Sequence, residues 1–371
     1  MTSSRSACRR QYLALQPGAL IDLDLSPRSW RVEQVTIEAF VVILELRPSW
    51  TSGAALAADP GRIVPNVDVP AAGLSVALFD VADVLGLDST TPTLLLAASS
   101  ASAYWTSYKA EIVAGQQSFE VPVARRKSVL GRASTVLMGG DAYLINQAGS
   151  FDVELIDQDQ WLTSCDDEAL VGGGNLAILG SEILQFGGAE PLGQGRFRLT
   201  RLLRGRAGTE WAMDSHVIGE AFALIEADSL RAVSLPSWTV GATASASIQS
   251  VAGSSSSAPI LVSGESLRPI SPVDLAAAFD AAGNLALTWT RRSRKGFAWT
   301  DEIDAPLGET SEQYRITVDG TQGSVEFEAA TPQLVIPAAQ IGGIGTGPIT
   351  IEVRQVGDAA ASRPAAASLT V

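Results

Sequence analysis

The segment RFRLTRLLRG, residues 196–205, decides the fold class because its side chains alternate at the period of a β-strand. Phe197 and Leu199 are separated by charged or hydroxyl-bearing residues, and the run ends at Gly205. Successive side chains of a strand point to opposite faces of the sheet, so the pattern predicts one buried face and one solvent-facing side. The alternation returns in EAFALIE, residues 220–226, which we also interpret as a strand.

Outward from this segment, short apolar runs separated by turn residues recur along the chain. They are LSVALFDV at 74–81, PTLLLAAS at 92–99, QSFEVPV at 117–123 and FDVELI at 151–156. Such runs, together with 34 Gly and 18 Pro, favour strands joined by tight turns over helices. Near the N-terminus, residues 32–48 read as one long strand, either regular or bulged near Phe40. The sequence therefore predicts an all-β chain of barrels and sandwiches.

The length of 371 residues indicates several domains. Residues 1–69 are predicted to form a β domain that ends in an Ala-, Gly- and Pro-rich connector, and residues 70–240 one or more further β-rich domains. The stretch 241–267 contains GATASASIQSVAGSSSSAP, which mixes a weak strand with a Ser-rich segment that is too polar and featureless to pack. It is therefore predicted to be a Ser/Gly-rich linker or an exposed loop. A separate C-terminal domain is expected over residues 268–371.

The C-terminal domain shows about seven short strands, the size of an immunoglobulin-like sandwich. NLALTWT, residues 284–290, and EQYRITVDG, residues 312–320, each place three large apolar side chains on one face. With Trp289, Tyr314 and the ending IEVRQVGDAAASRPAAASLTV, the domain resembles fibronectin type III. It departs from that family at Ile349, where a tyrosine usually begins the penultimate strand.

Charge and composition exclude several classes of partner. The net charge is -14 and the pI about 4.6, and no basic stripe interleaved with aromatics is found, so we predict no nucleic-acid partner. No apolar window is long enough to cross a bilayer, which predicts folding in the cytoplasm of the producing cell. Only 18% of residues are charged, which indicates that some of the surface is covered by other subunits.

The residues that carry chemistry are few. Cys8 and Cys165 lack the spacing of a zinc site and are interpreted as reduced thiols. His216 is the single histidine, which excludes two-histidine metal motifs. It is interpreted as structural, with a catalytic role beside Ser215 as the alternative. Acidic residues recur between 157 and 168 without the pattern of a calcium loop, so a solvated acidic loop is predicted.

No catalytic, cofactor-binding or metal-binding residue is therefore assigned, and the chain is predicted not to be an enzyme. A carboxylate pair that cleaves glycans stays a minor alternative, because the separation of its two groups depends on the fold. Glycan binding also stays open, because scattered tryptophans could stack on sugars although they more often fill cores. These are Trp30, Trp50, Trp105, Trp161 and Trp211.

The most distinctive motif is LLRGRAGTE, residues 202–210, within the longer string that runs from Glu182 to Glu226. This string resembles a signature of the tail-tip hub proteins of siphophages and gene transfer agents, the large host-specificity or "megatron" type. YLALQPGALIDLD at 12–24 and LTWTRRSRKGFAWTDEIDAPLGETSEQY at 287–314 fit the same family. Members are usually much longer, so the chain is similar only to their C-terminal part.

The resemblance implies hub-type β domains and a place in the virion tail tip, with roles in tail assembly and host attachment. It further implies a homotrimer whose partners are other tail-tip proteins. The alternative from another class is a host-surface adhesin that binds an envelope glycan or protein without a hub role.

Two groups of charged residues are the candidate site residues. In the motif and at the residue before it, Arg201, Arg204 and Arg206 end an apolar strand, and Glu210 lies within reach of a loop-stapling ion pair. The second group lies opposite Asp301, Glu302 and Asp304, where it forms either a docking patch for an acidic neighbour or a solvated hairpin flank. Its members are Arg291, Arg292, Arg294 and Lys295.

Overall fold

The computed structural model describes most of the chain. The described residues are 14–24, 26–39, 41–49, 73–87, 90–102, 105, 108–122, 124, 126–250, 254–295 and 304–370. The chain divides into two units, residues 1–68 and residues 69–371, so the predicted boundary at 69/70 lies next to this division. The predicted connector over 51–69 lies outside the described residues. Regular structure is almost entirely β, which confirms the all-β, multidomain prediction.

The first unit contains a three-stranded antiparallel sheet of β1 (Leu20–Leu23), β2 (Ser26–Glu38) and β3 (Val41–Pro48). The single long strand predicted over 32–48 is wrong. The chain reverses after Glu38, which pairs with Val41, and Ala39 takes a positive φ of 46°. A positive φ in a two-residue turn matches the twist of the flanking strands and so favours a hairpin. The turn lies within a run of alternating apolar residues that continues through it. Phe40, the predicted bulge position, lies outside the described residues.

The second unit contains the other twenty strands and both helices of the described chain. They are β4 Leu74–Phe79, β5 Thr93–Ser100, β6 Tyr108–Ala114, β7 Gln117–Val121, β8 Leu130–Ala133, β9 Asn146–Leu155, α1 Asp167–Val171, β10 Leu176–Leu179, β11 Glu182–Gly193, β12 Arg196–Arg206, β13 Ala221–Leu224, β14 Arg231–Ser234, β15 Thr243–Ser250, β16 Ser255–Leu261, β17 Val273–Phe279, β18 Leu285–Thr290, β19 Tyr314–Gly320, β20 Gly323–Ala329, β21 Gln333–Ile336, α2 Ala338–Ile341, β22 Pro348–Gln355 and β23 Ala365–Thr370. Neither helix has the length or the apolar character needed to span a membrane.

A sandwich and a barrel together form the first part of this unit. The sandwich packs the sheet β14-β5-β4 against the sheet β16-β15-β6-β7. The closed antiparallel barrel has the order β10-β11-β12-β9-β8-β13, in which β10 also pairs with β13. The sandwich strands come from both sides of the barrel in sequence. The barrel is therefore inserted between β7 and β14 of the sandwich.

Strand β5 is buried along its whole length because both of its faces are covered. Leu94 and Leu96 point into the sandwich core, whereas Leu95 and Ala97 pack against barrel residues such as Ile178. A strand covered on both faces has a continuous apolar run instead of an alternating one. This packing explains the unbroken TLLLAA sequence, and it holds the barrel against the sandwich.

The predicted linker over 241–267 is wrong, because most of it forms β15 and β16, which pair along their whole length. Ala244, Ala246 and Ile248 are buried in the sandwich core, while the serines between them are more exposed. Two of these three buried side chains are alanines, so the apolar face carried too little hydrophobicity to stand out in the sequence. Strand β16 lies at the sheet edge and has an exposed, Ser-rich outer row.

The C-terminal part of the unit is a second sandwich. One sheet has the order β17-β18-β21 and the other β20-β19-β22-β23. The alternating residues predicted from β18 and β19 are buried in its core, where the rings of Trp289 and Tyr314 meet edge to face with centroids 5.0 Å apart. Ile349 is also buried there.

Candidate functional site

The strand β12 carries Arg204 and Arg206 of the motif LLRGRAGTE and Arg201 just before it, and each of the three has a different environment. Arg204 is completely buried beside the adjacent strand β11, whose first residue is Glu182. Arg204 Nε and Nη2 donate to the two carboxylate oxygens of Glu182 at 2.7 and 2.8 Å. The remaining guanidinium hydrogens reach the carbonyl oxygens of Met138 and Met213 at 2.8 and 3.3 Å. The buried charge is thus paired and hydrogen-bonded, as burial requires.

Glu182 is the centre of this network. Besides Arg204, its carboxylate accepts a hydrogen bond from the backbone N–H of Gly205 at 2.8 Å and lies 2.6 Å from Nε2 of His216. Burial pushes the pKa of Glu182 upward, but the hydrogen bonds from His216 and Arg204 outweigh burial, so the pKa is lower than its ordinary value. The carboxylate is therefore held ionised inside the barrel wall.

His216 lies between two carboxylates. Its Nε2 contacts Glu182, and its Nδ1 is 2.8 Å from Oε2 of Glu220, four residues along the chain. Burial lowers the pKa of the imidazole, but the hydrogen bonds to the two carboxylates outweigh burial and raise the pKa above its ordinary value. Ser215 donates its hydroxyl to the carbonyl of Ala212 at 2.9 Å, not to His216. This geometry favours the structural interpretation of His216 over the catalytic one.

Arg201 interrupts the pairing of β12 with β9. The register shifts between Thr200 and Leu202, where Arg201 alone faces the three β9 residues 147–149, and Arg201 takes a positive φ of 53°. The extra residues of this irregularity therefore lie on β9. The guanidinium of Arg201 binds Asp167 and donates to the carbonyl oxygens of Cys165 and Gly187 at 3.1 and 3.3 Å. Arg201 therefore fastens the short helix α1 to the barrel.

The ion pair predicted for Glu210 crosses between domains and does not staple the motif loop. Glu210 forms an ion pair, but its partner is Arg292 of the C-terminal sandwich and not a motif arginine. The two oxygen–nitrogen distances are 2.5 and 3.2 Å, and Nε of Arg292 also donates to the carbonyl of Ser271 at 2.7 Å. Arg206 is exposed at the end of β12. The motif thus contributes to a junction between the barrel and the C-terminal sandwich.

The other members of the second charged group also form ion pairs or hydrogen bonds with residues of the same chain. Arg291 pairs with Asp304 at 2.7 Å, and Arg294 with the buried carboxylate of Glu309 at 2.7 Å. The backbone N–H of Lys295 donates to Ser293. Asp301 and Glu302 lie outside the described residues. The predicted hairpin is wrong, because β18 and β19 lie in different sheets. Arg291 and Arg294 stabilise the connection between these two strands, and Arg292 reaches another domain.

The predicted solvated acidic loop is wrong for Asp157, which is buried and pairs with Lys127. Asp166 accepts the N–H of Ala169 at 2.8 Å and so caps α1, and Asp167 binds Arg201. Among the described residues, no group of three or more His, Cys, Asp or Glu side chains is arranged to hold a metal ion. The predicted reduced thiol is free at Cys165, whereas Cys8 lies outside the described chain.

A second contact joins the barrel to the C-terminal sandwich. The guanidinium carbon of Arg363 lies 3.4 Å from the ring centroid of Trp211, and its Nη2 is 2.8 Å from Oε1 of Glu265. The cation covers one face of the indole and the carboxylate neutralises the cation. These two contacts and the Glu210–Arg292 pair fix Trp211 at the wall of an open cleft.

This interdomain cleft has a volume of about 540 Å³. Its walls include Tyr143, Glu210, Trp211 and Asp214 from the barrel and Arg292 and Arg363 from the sandwich.

Glu182 and His216, the centre of the buried network, were not predicted as a pair. One sequence signal could have found the pair. A glutamate at the start of an apolar strand and the single histidine lie on opposite sides of the motif arginines.

The comparisons with known proteins single out the barrel. Residues 128–223 match the family model described as "Rcc01698-like, C-terminal". The name of that family is associated with gene transfer agents. The matched segment begins just before β8 and ends within β13, so it coincides with the barrel and includes Glu182, Arg204 and His216. It spans about a quarter of the chain.

The other two comparisons add no functional information. No curated protein sequence matches the chain. Among solved structures, a chain titled "Cytokine receptor complex - Crystal form 1A" is 8% identical and covers 80% of this chain and 95% of that one, with a TM-score of 0.24. A score this low supports no argument about fold or function.

Proposed function

We propose that this protein is a structural component of the tail tip of a phage or of a gene transfer particle, a baseplate hub subunit that assembles with copies of itself and with other tail-tip proteins. The observation that carries the proposal is the family match over the barrel, residues 128–223. The motif LLRGRAGTE, on which the resemblance to tail-tip hubs rests, lies inside the matched segment. By that resemblance the hub is a trimer located in the virion.

The contacts of the motif support a structural role and not a catalytic one. Arg204 and Glu182 neutralise each other in the barrel wall, and Arg201 fastens α1. Glu210 is used in the junction to the C-terminal sandwich. Side chains that are committed to packing in this way are not available as acid, base or nucleophile, which favours a non-enzymatic protein over a glycan-cleaving one.

The C-terminal sandwich is proposed to be a fibronectin type III-like domain. Its seven strands form a three-stranded and a four-stranded sheet, and Trp289 and Tyr314 meet between them. The number of strands and their division support this assignment.

The surface of the barrel supports assembly with neighbouring subunits. Five large apolar side chains are each more than half exposed in two barrel segments, and large exposed apolar side chains often mark interaction sites. They are Met138, Tyr143, Leu144, Val217 and Ile218. Together with a charged fraction of only 18%, they favour burial between subunits.

A reconstruction of tails from particles that carry this chain tests the proposal. We expect density for the barrel and for the two sandwiches at the tail tip, arranged around the tail axis with threefold symmetry. Particles made without the gene should lack the tip or fail to attach to host cells. Density elsewhere in the particle, or intact tips in the deletion strain, would refute the proposal.

A host-surface adhesin without a hub role is the second candidate, favoured by the open cleft with exposed aromatic side chains between barrel and sandwich. Binding of the purified chain to host cells, together with normal tails in a deletion strain, would favour this alternative over the hub.

A further inference from the structure

The interdomain cleft has the dimensions and the openness of a binding site. Its volume of about 540 Å³ falls within the range of about 300–1,000 Å³ that is typical of ligand sites in proteins. It lies where two β domains meet, and the Glu210–Arg292 pair joins the two walls. Domain junctions are preferred places for ligand sites, because each wall can contribute side chains.

Two aromatic side chains are presented in this cleft. Tyr143 is 74% exposed and Trp211 is 40% exposed, although large aromatic side chains are usually buried. Trp211 is held in place by Arg363, which stacks on its ring. An exposed aromatic ring that the protein keeps fixed offers an apolar, flat surface to a ligand at little cost in conformational entropy.

The charges of the cleft select for a neutral ligand. Its lining holds two carboxylates, Glu210 and Asp214, and two guanidinium groups, Arg292 and Arg363. Glu265, the partner of Arg363, also pairs with Arg268, so these six groups together carry no net charge. Neither an anion nor a cation would gain from the net charge of the walls. The same groups supply both hydrogen-bond acceptors and donors, and Asp214 is exposed to the cleft. Flat apolar rings beside mixed donors and acceptors suit a molecule with apolar C–H faces and many hydroxyl groups.

We propose that the cleft between the barrel and the C-terminal sandwich binds a neutral saccharide chain, with Trp211 and Tyr143 stacking on sugar rings and Asp214 accepting hydrogen bonds from hydroxyl groups. The inference goes beyond the proposed role in a tail tip and stands without it, because it concerns the chain by itself. It also places binding at the junction and not on the isolated C-terminal sandwich.

Titration calorimetry with the purified full chain tests this proposal. The probes are four neutral hexasaccharides (maltohexaose, cellohexaose, mannohexaose and chitohexaose) and the anionic hexamer of galacturonate. We expect at least one neutral probe to bind and the anionic hexamer to bind more weakly. Trp211→Ala and Tyr143→Ala should each weaken binding about tenfold, since one stacking contact is lost.

The matched control is Trp238→Ala, which removes a tryptophan of similar exposure, 49%, from the first sandwich. This variant should bind like the wild type. Because Trp211→Ala also removes the ring under Arg363, Tyr143→Ala provides the independent variant that leaves the junction intact. The proposal is overturned if no neutral probe binds at about 10 mM, if the anionic hexamer binds best, or if Tyr143→Ala binds like the wild type.

Discussion

Glu210, which follows the barrel strand β12, and Arg292, which follows β18 of the C-terminal sandwich, form a two-point ion pair across a sequence separation of 82 residues. Both side chains are partly buried, with exposed fractions of 33% and 25%. Each belongs to a charged group that the sequence places in a different domain. Their contact makes the motif and the arginine group parts of one junction.

The first prediction concerns the strength of this junction. A double-mutant cycle with Glu210→Ala and Arg292→Ala should give a coupling free energy of about 1 kcal/mol, because the pair is bidentate and partly shielded from water. The measurement is the free energy of unfolding of the full chain in urea, for the wild type, the single variants and the double variant.

The pair Arg315–Glu326 serves as the control for this cycle. It lies within one sheet of the C-terminal sandwich, at 3.3 Å, with side chains 44% and 57% exposed. Its coupling should be close to zero because solvent screens it. Equal coupling in the two cycles would mean that the junction pair adds nothing beyond an ordinary surface contact.

The second prediction concerns the buried pair. Arg204→Met should lower the free energy of unfolding by about 3–5 kcal/mol, because Glu182 would lose its bidentate partner inside the barrel. The double change with Glu182→Leu should recover part of that loss, since it removes the remaining charge as well. Thermal or urea unfolding measures both effects.

Arg206→Met is the matched control for the buried pair, since Arg206 lies two residues further along β12 and is exposed. Its effect should stay within about 0.5 kcal/mol. If Arg204→Met were as mild as this control, the buried network would not be a main source of the barrel's stability.

The third prediction concerns pH. Burial lowers the pKa of His216, but its hydrogen bonds to Glu182 and Glu220 outweigh burial, so the folded-state pKa is raised above its ordinary value of 6.5. A raised folded pKa contributes stability that is fully present below about pH 6.5 and is lost as the pH rises through the folded pKa. The wild type should lose stability over this window, and His216→Gln should show a flatter dependence.

Direct measurement of this pKa is straightforward because the chain contains one histidine. Proton NMR titration of the imidazole should give a pKa above 6.5. A value at or below 6.5 would contradict the conclusion that the two carboxylates raise the pKa of His216. Glu182 affects stability in a separate pH range. Its pKa is lowered from 4.5, so its contribution to the free energy of unfolding is lost only as the pH falls into the acid range.

The fourth prediction concerns the glycine of the motif. Gly205 has a φ of +58°, and a Cβ atom there would lie 3.0 Å from Cα of Glu210 and 2.7 Å from its Cγ. Gly205→Ala should therefore lower the free energy of unfolding by more than about 2 kcal/mol, because backbone strain and a clash with the main chain add together.

Gly193→Ala isolates the backbone part of this effect. Gly193 also has a positive φ, +88°, but nothing lies within 4 Å of the position of its Cβ. Its substitution should cost only the left-handed conformation, about 1 kcal/mol. Equal losses at the two positions would show that contact with Glu210 has no energetic weight.

The sequence predicted strands well where large apolar residues alternate with polar ones. RFRLTRLL and NLALTWT alternate because solvent covers one side and a core the other, and their predicted buried residues are found in the barrel and sandwich cores. It failed at β15 and β16, where the buried residues are mostly small alanines. It also missed the hairpin at Ala39, because the apolar pattern continues through the turn.

For the candidate site, the sequence supplied the charged residues but not their partners. It grouped Arg201, Arg204, Arg206 and Glu210 by proximity along the chain, whereas the structure pairs each of the three buried or half-buried members with a residue of another element. Ion pairing depends on a distance of a few ångströms in space, and that distance is set by strand register and by domain packing.

Local alternation and turn residues by themselves determined that this protein is built from antiparallel β-strands, since side-chain direction in a strand follows from covalent geometry. Only the tertiary structure decided that the barrel is inserted into a sandwich, that Glu182 and His216 meet inside it, and that Glu210 reaches Arg292. These relationships join residues distant in sequence, and no local pattern encodes which distant surfaces will bury each other.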